Sequence, residues 1–236
     1  MSEWKAKRFW TDATVDECGN GFEVLLDGRR LKTPAKAPLT LPTRPLAEAV
    51  AEEWRAQEDM VNPATMPVTR SANAALDKTA PQMAEVAEMV AEYGGTDLLC
   101  YRATNPAELI ARQAADWDPM LEWAATTLGA RLTPTGGVIP VQQPGDALDA
   151  LRNRVDRLDA FQLTAFHDLV SLSGSLVLGF AAIHGPFDAE ALWQMSRLDE
   201  RWQEEQWGPD EEATEAAGIK RQAFHHALRF YRLATP

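Results

Sequence analysis

Hydrophobic and polar residues alternate near the start of the chain, in the pattern of a small antiparallel sheet. Residues 22–26 (FEVLL) and 30–33 (RLKT) flank the pair Asp27-Gly28. An Asp-Gly pair supplies the positive φ angles that a tight hairpin turn needs. Further strands are expected at residues 8–10, 13–15 and 38–41. The resulting β unit is too short to make a large core alone.

After this unit the hydrophobic spacing changes to three and four residues, which predicts helices. Leu46, Val50 and Trp54 lie on one face of a helix over residues 45–57. Residues 59–69 contain two prolines and are expected to form an irregular connector. Further helices are predicted near residues 69–79, 81–93, 106–116, 119–129, 145–157, 160–183, 188–206 and 210–233, with a break near Gly218 in the last.

The two patterns together predict an α+β protein. A small antiparallel β-rich N-terminal domain is followed by a larger, mainly α-helical C-terminal domain. The connector is the best candidate boundary, so the predicted domains are residues 1–62, which include one helix, and residues 63–236.

Aromatic, carboxylate and amide side chains are densest over residues 187–210, which we interpret as one helix. Asp188 can cap its start, and Gly208-Pro209 can end it. Its apolar stripe consists of Leu192, Met195, Leu198 and Trp202. Because the carboxylates lie largely off that stripe, ordered acidic side chains are expected where another protein could meet them.

Composition and charge narrow the classes of partner. The chain has 236 residues, of which 45% are hydrophobic and 25% charged, as is ordinary for a folded protein. Its formal net charge of -12 opposes binding to nucleic acid or anionic lipid and favours a basic partner surface. The apolar run over residues 169–183 is too short to span a bilayer, so no stable membrane insertion is expected. Cys18 and Cys100 indicate neither a zinc site nor a disulfide framework and fit a reducing compartment.

No motif for chemistry on a small molecule is present. The histidines His167, His184, His225 and His226 lack the spacing of a metal site. Ser173-Gly174-Ser175 lacks the surroundings of a nucleophile elbow, and Cys100 follows two leucines as buried cysteines do. No glycine-rich phosphate cradle occurs. The sequence therefore predicts no metal, no cofactor and no enzyme activity.

Two tryptophans and an acidic surface are the candidate contacts for a partner. Trp117 and Trp207 each precede a turn-forming pair at an expected helix end, where a half-exposed ring can anchor an interface. The acidic surface comprises Asp199, Glu200, Glu204, Glu205, Glu211 and Glu212. A solvated helix face explains any one of these carboxylates, whereas together they could pair with Arg or Lys of a partner and orient its approach.

Short segments along nearly the whole chain carry a family resemblance. They are residues 8–10 (RFW), 26–29 (LDGR), 31–34 (LKTP), Glu53-Trp54, 63–67 (PATMP), 95–102 (GTDLLCYR), Gln113, 117–119 (WDP), 173–176 (SGSL), Asp199-Glu200, Trp207-Gly208 and 211–213 (EEA). With these segments the chain resembles the assembly chaperones that bind the α subunit of the catalytic head of F-type ATP synthase before it joins the β subunit.

The resemblance implies a fold, a client and a sensitive region. It implies a β-rich N-terminal domain, a helical C-terminal domain, no cofactor, no ATP use, and a transient complex with unassembled α subunit, whose aggregation is prevented. An acidic residue of the helical region is functionally sensitive in that family, and Glu200, Glu211 and Glu212 occupy the matching segment. We expect the free protein to be a monomer. The start of the chain lacks a transit peptide, so we expect a bacterial cytoplasmic protein or a processed mitochondrial matrix form.

Two other classes remain open. A small-molecule enzyme would place convergent titratable groups in a polar pocket between the β unit and the helices. A structural subunit of a stable complex would associate persistently and stoichiometrically with its partners.

Overall fold

The computed structural model describes residues 7–137 and 139–236, so the first six residues of the predicted N-terminal domain and Val138 lie outside the description. Its antiparallel sheet contains β1 (Ala13–Cys18), β2 (Gly21–Leu26), β3 (Arg29–Arg30) and β4 (Thr40–Leu41). The central strand β2 pairs with β1 along its whole length, and with both β3 and β4 on its other edge.

The hairpin between β2 and β3 confirms the turn predicted at Asp27-Gly28. Leu26 pairs with Arg29, and the two turn residues have φ angles of 46° and 80°. The Asp27 carboxylate accepts hydrogen bonds from the backbone N–H groups of Asp12 and Thr11, which lower its pKa. The turn is therefore tied to the segment that leads into β1.

The strand predicted at residues 8–10 is wrong. Lys7 forms an isolated bridge with Met60, residues 8–10 form no strand, and the first strand in the described part of the chain begins at Ala13. The Arg8 guanidinium instead donates to the backbone carbonyls of Trp10 and Gln57. The segment is thus fixed by side-chain hydrogen bonds that a β pattern does not reveal.

Helix α1 (Arg44–Arg55) confirms the first predicted helix and its buried face. The Thr43 hydroxyl caps it by accepting from the Leu46 N–H, and Leu46 and Val50 are fully buried. Trp54 packs against Trp10 with ring centroids 5.1 Å apart, while the Trp10 indole N–H donates to the Trp54 carbonyl.

The remaining elements are mainly helical. They are α2 (Pro67–Ala74), α3 (Met83–Glu92), α4 (Ala107–Trp123), α5 (Gly145–Val155), α6 (Ala160–Ser173), α7 (Leu176–His184), α8 (Ala189–Ser196), α9 (Leu198–Trp207) and α10 (Glu211–Ala234), with two short paired strands, β5 (Tyr101–Arg102) and β6 (Thr135–Gly136). The predicted α+β class, with an N-terminal antiparallel sheet and a larger helical region, is confirmed. Within residues 7–137 and 139–236, no helix combines the length and apolarity that crossing a membrane requires.

The chain groups into two compact units. One consists of Met1–Met83, Asp159–Ala165 and Arg229–Pro236, and the other of Ala84–Leu158 and Phe166–Leu228. The division predicted after residue 62 stays a prediction. We call the second group the helical unit, and all the sites described below lie within it.

Two predicted helix interruptions do not occur. Helix α4 continues through Pro119, where two helices were expected, and α10 continues through Gly218. Trp117, two residues before Pro119, has no exposed surface. Its burial outweighs the helix-breaking tendency of a proline, because tertiary packing overrides intrinsic propensity.

Two helices predicted as continuous are instead interrupted. Gly174, with a φ angle of 70°, separates α6 from α7, and Arg197 separates α8 from α9. At the second break the Met195 carbonyl accepts a hydrogen bond of 3.0 Å from the Trp117 indole N–H. A polar partner from another helix thus adds a hydrogen bond to a carbonyl at the helix end, where intrahelical donors run out.

The fully buried carboxylate of Asp97 joins two distant parts of the helical unit. It accepts from the Leu99 N–H at 3.0 Å, the Ser175 hydroxyl at 2.8 Å and the Val177 N–H at 3.0 Å. Burial raises its pKa, while these donors act in the opposite direction. One side chain therefore caps both the turn at Leu98–Cys100 and the start of α7.

Replacing Gly28 with Val should lower stability by about 2 kcal/mol, or about 4–8 °C in Tm, because a β-branched residue resists a φ of 80°. The added side chain would meet no other atom, so the cost comes from the backbone. Gly19→Val is the matched control, since Gly19 also faces open space but lacks a left-handed φ. Equal thermal melts for the two variants would contradict the strained-turn explanation.

Replacing Asp97 with Ala should cost about 3 kcal/mol, or about 6–12 °C in Tm, because it leaves three buried donors without their acceptor. The exposed Asp149→Ala in the same unit provides the control and should melt within about 2 °C of the parent. A melt of Asp97→Ala that matches this control would show that the buried carboxylate does not hold α7 in place.

Candidate functional site

The helical hairpin formed by the end of α9 and the start of α10 stands out by its exposure. Every residue from 205 to 216 is exposed, around the full circumference of both helices, and we call this segment the exposed hairpin. Gly208 turns the chain with a φ angle of 87°, and the Asp210 carboxylate caps α10 by accepting from the Ala213 N–H at 2.7 Å. None of its residues is buried, so the hairpin is ordered mainly by this turn, this cap and an ion pair at Glu205.

A groove of about 670 Å³ lies beside this hairpin. Its α9 wall consists of Asp199, Glu200 and Gln203, and its α10 wall of Ala213, Ala216, Ala217 and Lys220. Its base consists of Leu98, Trp193, Ser196 and residues 171–174, with the fully buried Trp117 beneath. One wall is thus acidic and polar, while the other is a stripe of small side chains that ends in a lysine.

The acidic wall is held in place by α4. The Gln113 amide is buried, with its oxygen accepting from the Ala103 N–H at 2.8 Å and its nitrogen donating to the Asp199 carboxylate at 2.7 Å. Arg112 makes a bidentate pair with Glu205 at 2.6 and 2.9 Å, which lowers the pKa of that carboxylate. Neighbouring residues of α4 therefore fix both ends of α9.

Glu200 differs from Asp199 in that its carboxylate is free to bind a partner. Asp199 is half-buried and hydrogen-bonded to α4, whereas the Glu200 carboxylate is exposed and makes no hydrogen bond or ion pair within the described part of the chain. Because of the break at Arg197, Glu200 lies in the first turn of α9 and not in the middle of a helix, as the sequence had suggested. It lies at the groove with its carboxylate unengaged.

The other predicted contacts lie in different places. Trp207 ends α9 with 79% of its surface exposed, as expected for an interface anchor. Glu211 and Glu212 are exposed in the first turn of α10 and do not line the groove. The half-exposed position expected for Trp117 is wrong, because it lies inside α4 with its indole bound to Met195. A buried ring cannot serve as a direct contact.

The groups considered for nucleophilic chemistry are engaged in the fold. The Ser173 hydroxyl donates to the Leu169 carbonyl, and the Ser175 hydroxyl donates to Asp97 while capping α7. Burial, followed by the negative charge of Asp97, raises the pKa of the Cys100 thiol to about 12. Within the described ranges, no group of three His, Cys, Asp or Glu is placed to hold a metal ion.

A cluster around Glu190 attaches α10 to α8. Its carboxylate accepts from Gln194 at 2.7 Å, from the Arg221 Nε at 2.7 Å, and lies 2.9 Å from the His225 Nε2. Burial opposes ionisation, but these partners outweigh it and lower the pKa of Glu190 to about 2. The cluster thus helps to position the α10 wall of the groove.

The α10 wall of the groove, which we call the alanine wall, was not predicted from the sequence, although its residues have a helical spacing. Ala213, Ala216, Ala217 and Lys220 follow the i, i+3, i+4, i+7 spacing of one helix face. Small side chains at this spacing give only a weak hydrophobic signal, and no sequence pattern indicates that α9 lies opposite. The groove depends on a tertiary arrangement.

Comparisons with known proteins agree on one family. Residues 7–125 match the family model described as ATP12 chaperone protein. Protein atp12, mitochondrial, of Schizosaccharomyces pombe is 29% identical over 223 residues, which cover 89% of this chain and 76% of that protein.

Solved structures agree over the full length. The crystal structure of Atp12 from Paracoccus denitrificans is 51% identical, with a TM-score of 0.96, and the match covers 99% of this chain and 100% of that one. A mutant of the same protein with lysine in place of an aspartate matches equally well. An Agrobacterium tumefaciens structure is 41% identical, with a TM-score of 0.93, and covers 98% of this chain and 87% of that one.

Replacing Glu190 with Gln should lower stability at pH 7, because the ion pairs with its carboxylate are lost. The loss should be only about 1 kcal/mol, or about 2–4 °C in Tm, because the carboxylate is partly exposed to solvent. Its folded-state pKa of about 2 lies below the ordinary value of 4.5, so its contribution is present above pH 4.5 and is lost as the pH falls towards 2. The Tm difference between parent and variant should therefore shrink across that interval. Glu85→Gln, in an exposed and unpaired position, is the control. A difference that stays constant from pH 7 to pH 3 would contradict this role.

Proposed function

The chain belongs to the ATP12 chaperone family, and from this premise we propose that it binds the unassembled α subunit of the F-type ATP synthase catalytic head. In this proposal it prevents aggregation of the α subunit until that subunit joins the β subunit. It acts as a free monomer, in the bacterial cytoplasm or, for a processed form, in the mitochondrial matrix. No cofactor takes part.

The observation that carries this proposal is the groove beside the exposed hairpin. Its alanine wall offers apolar surface without bulky side chains, so a client segment can approach the helix closely. Its opposite wall presents Asp199, which is held in place, and Glu200, which is unengaged. This combination suits a client segment that has an apolar face and a basic edge.

The charge distribution supports a transient encounter. A protein with a net charge of -12 attracts basic surfaces at a distance, and an acidic groove wall then orients them. The exposed Trp207 at the end of α9 can add aromatic contact area, which is common in interface anchors. Such an interface favours rapid association and allows release when a better partner arrives.

A small-molecule enzyme finds less support in the same groove. The Ser171 and Ser173 hydroxyls at its base both donate to backbone carbonyls of their own helix, and no histidine lines the groove. Neither hydroxyl is hydrogen-bonded to a side-chain base, which is the pairing that activates a serine nucleophile.

Glu200→Lys should leave the fold intact and weaken protection of the α subunit. Losing one partner of a desolvated interfacial pair costs roughly 2–5 kcal/mol, which corresponds to at least about 30-fold in affinity. Melting temperature and suppression of α-subunit aggregation should be measured on the same samples. Glu211→Lys and Glu212→Lys are expected to have smaller effects, because neither residue lines the groove.

Glu85→Lys is the matched control for this experiment. Like Glu200, Glu85 is an exposed acid in the first turn of a helix, so both changes carry the same small helix-dipole penalty. If Glu200→Lys, Glu211→Lys and Glu212→Lys all protect the α subunit normally, the acidic surface is only a solvated helix face and takes no part in binding. Absence of any protection by the parent protein would overturn the proposed function itself.

A further inference from the structure

A second, smaller cavity of about 160 Å³ lies among α8, α9 and α10. It is lined by Trp193, Gln194, Arg197, Arg201, Glu204, Thr214, Ala217, Gly218 and Arg221. We call it the arginine cavity, because three guanidinium groups surround it. It shares Trp193, Arg197 and Ala217 with the groove, so the two cavities adjoin.

The charges at the arginine cavity are not balanced. Arg197 pairs with Glu204 at 3.1 Å, and Arg221 pairs with Glu190 at 2.7 Å. Arg201 makes no side-chain hydrogen bond or close ion pair within residues 7–137 and 139–236. The Arg201 charge attracts Glu205, but that carboxylate is already paired with Arg112. Three guanidinium groups therefore line the cavity, whereas Glu204 is the only carboxylate among its lining residues.

Arg197 is more deeply placed than Arg221, whose side chain is 53% exposed. The Arg197 side chain is only 16% exposed, and its Nε is buried without a hydrogen-bond partner in the described part of the chain. A guanidinium has five N–H donors, and burying a charged donor is costly unless an acceptor meets it. The Glu204 carboxylate accepts only from Nη2, so the Nε–H donor still lacks an acceptor.

The polar groups around Arg197 do not supply the missing acceptor. The Gln194 amide nitrogen donates to Glu190 and the Thr214 hydroxyl donates to the Asp210 carbonyl, and neither side-chain oxygen accepts from the Arg197 Nε, which has no partner in the described part of the chain. The arrangement thus combines a buried guanidinium with an unsatisfied N–H donor, a second guanidinium without a hydrogen bond, and a small, half-open cavity.

We propose that the arginine cavity binds a carboxylate, held by Arg197 and Arg201. A planar carboxylate matches the fork of a guanidinium and can accept from two of its N–H groups at once. The cavity's volume of about 160 Å³ accommodates a group of this size and excludes a nucleotide. Because the cavity adjoins the groove, an acidic side chain of the bound client is its expected source, and this part of the inference rests on the proposed function.

The site itself can be tested without any client. Sodium acetate is titrated into the full-length protein at constant ionic strength, with sodium chloride as the balancing salt, and the Nε–Hε signals of the arginines are followed by NMR. The Arg197 and Arg201 signals should shift saturably, with a dissociation constant of about a millimolar, as suits a four-atom ligand.

Arg201→Gln should weaken acetate binding at least tenfold while melting within about 2 °C of the parent, because Arg201 loses no hydrogen bond or close ion pair and only a longer-range attraction to the exposed Glu205. Arg131→Gln is the matched control, since this arginine is 72% exposed and remote from α8 to α10 in sequence, and its variant should bind acetate normally. Shifts that do not saturate, or that persist unchanged in Arg201→Gln, would overturn the site.

The source of the carboxylate is tested in the aggregation assay. Acetate should reduce protection of the α subunit by the parent more than equimolar chloride does, and this difference should vanish in Arg201→Gln. If acetate binds saturably in the titration but the two salts affect protection equally, the client does not supply the carboxylate. The site would then bind free anions. A parent that binds acetate but protects no α subunit would instead contradict the proposed function.

Discussion

A buried carboxylate or a helix-end carbonyl must find a polar partner, and in the helical unit such partners come from distant parts of the chain. Asp97 meets donors from residues as far away as Val177, and Trp117 meets the Met195 carbonyl. These two contacts specify where α7 starts and where α8 ends. The interruptions between these helices therefore depend on hydrogen bonds between elements as well as on the residues at the interruptions.

The same requirement orients the groove. Along α4, Arg112 reaches Glu205, Gln113 reaches Asp199, and Trp117 reaches the end of α8. As residue numbers rise along α4, the numbers of their partners fall from α9 to the end of α8. Helices α4 and α9 therefore run in opposite directions. A rigid helix in the core thus presents the acidic wall, while Glu200 remains without a partner and can respond to a client.

Local patterns predicted the parts of the fold that depend on local physics. The Asp27-Gly28 turn, the capped helix α1 and the α+β class follow from turn chemistry and hydrophobic periodicity. The continuation of α4 through Pro119 and the break at Arg197 do not, because each depends on a tertiary contact of Trp117. The exposure of Trp207 was predictable from its position before Gly208-Pro209, whereas the alanine wall and the arginine cavity arise only when α9 and α10 lie side by side.

The exposed hairpin has a consequence for motion. None of residues 205–216 is buried, so beyond the Arg112–Glu205 pair their stability comes mainly from helical bonds and caps within the segment. This places them at the low end of local unfolding free energies. Their amide protons are expected to exchange with solvent well before those of the core around Asp97. One wall of the groove can therefore loosen and re-form around a bound chain while the buried hydrogen bonds behind it stay closed.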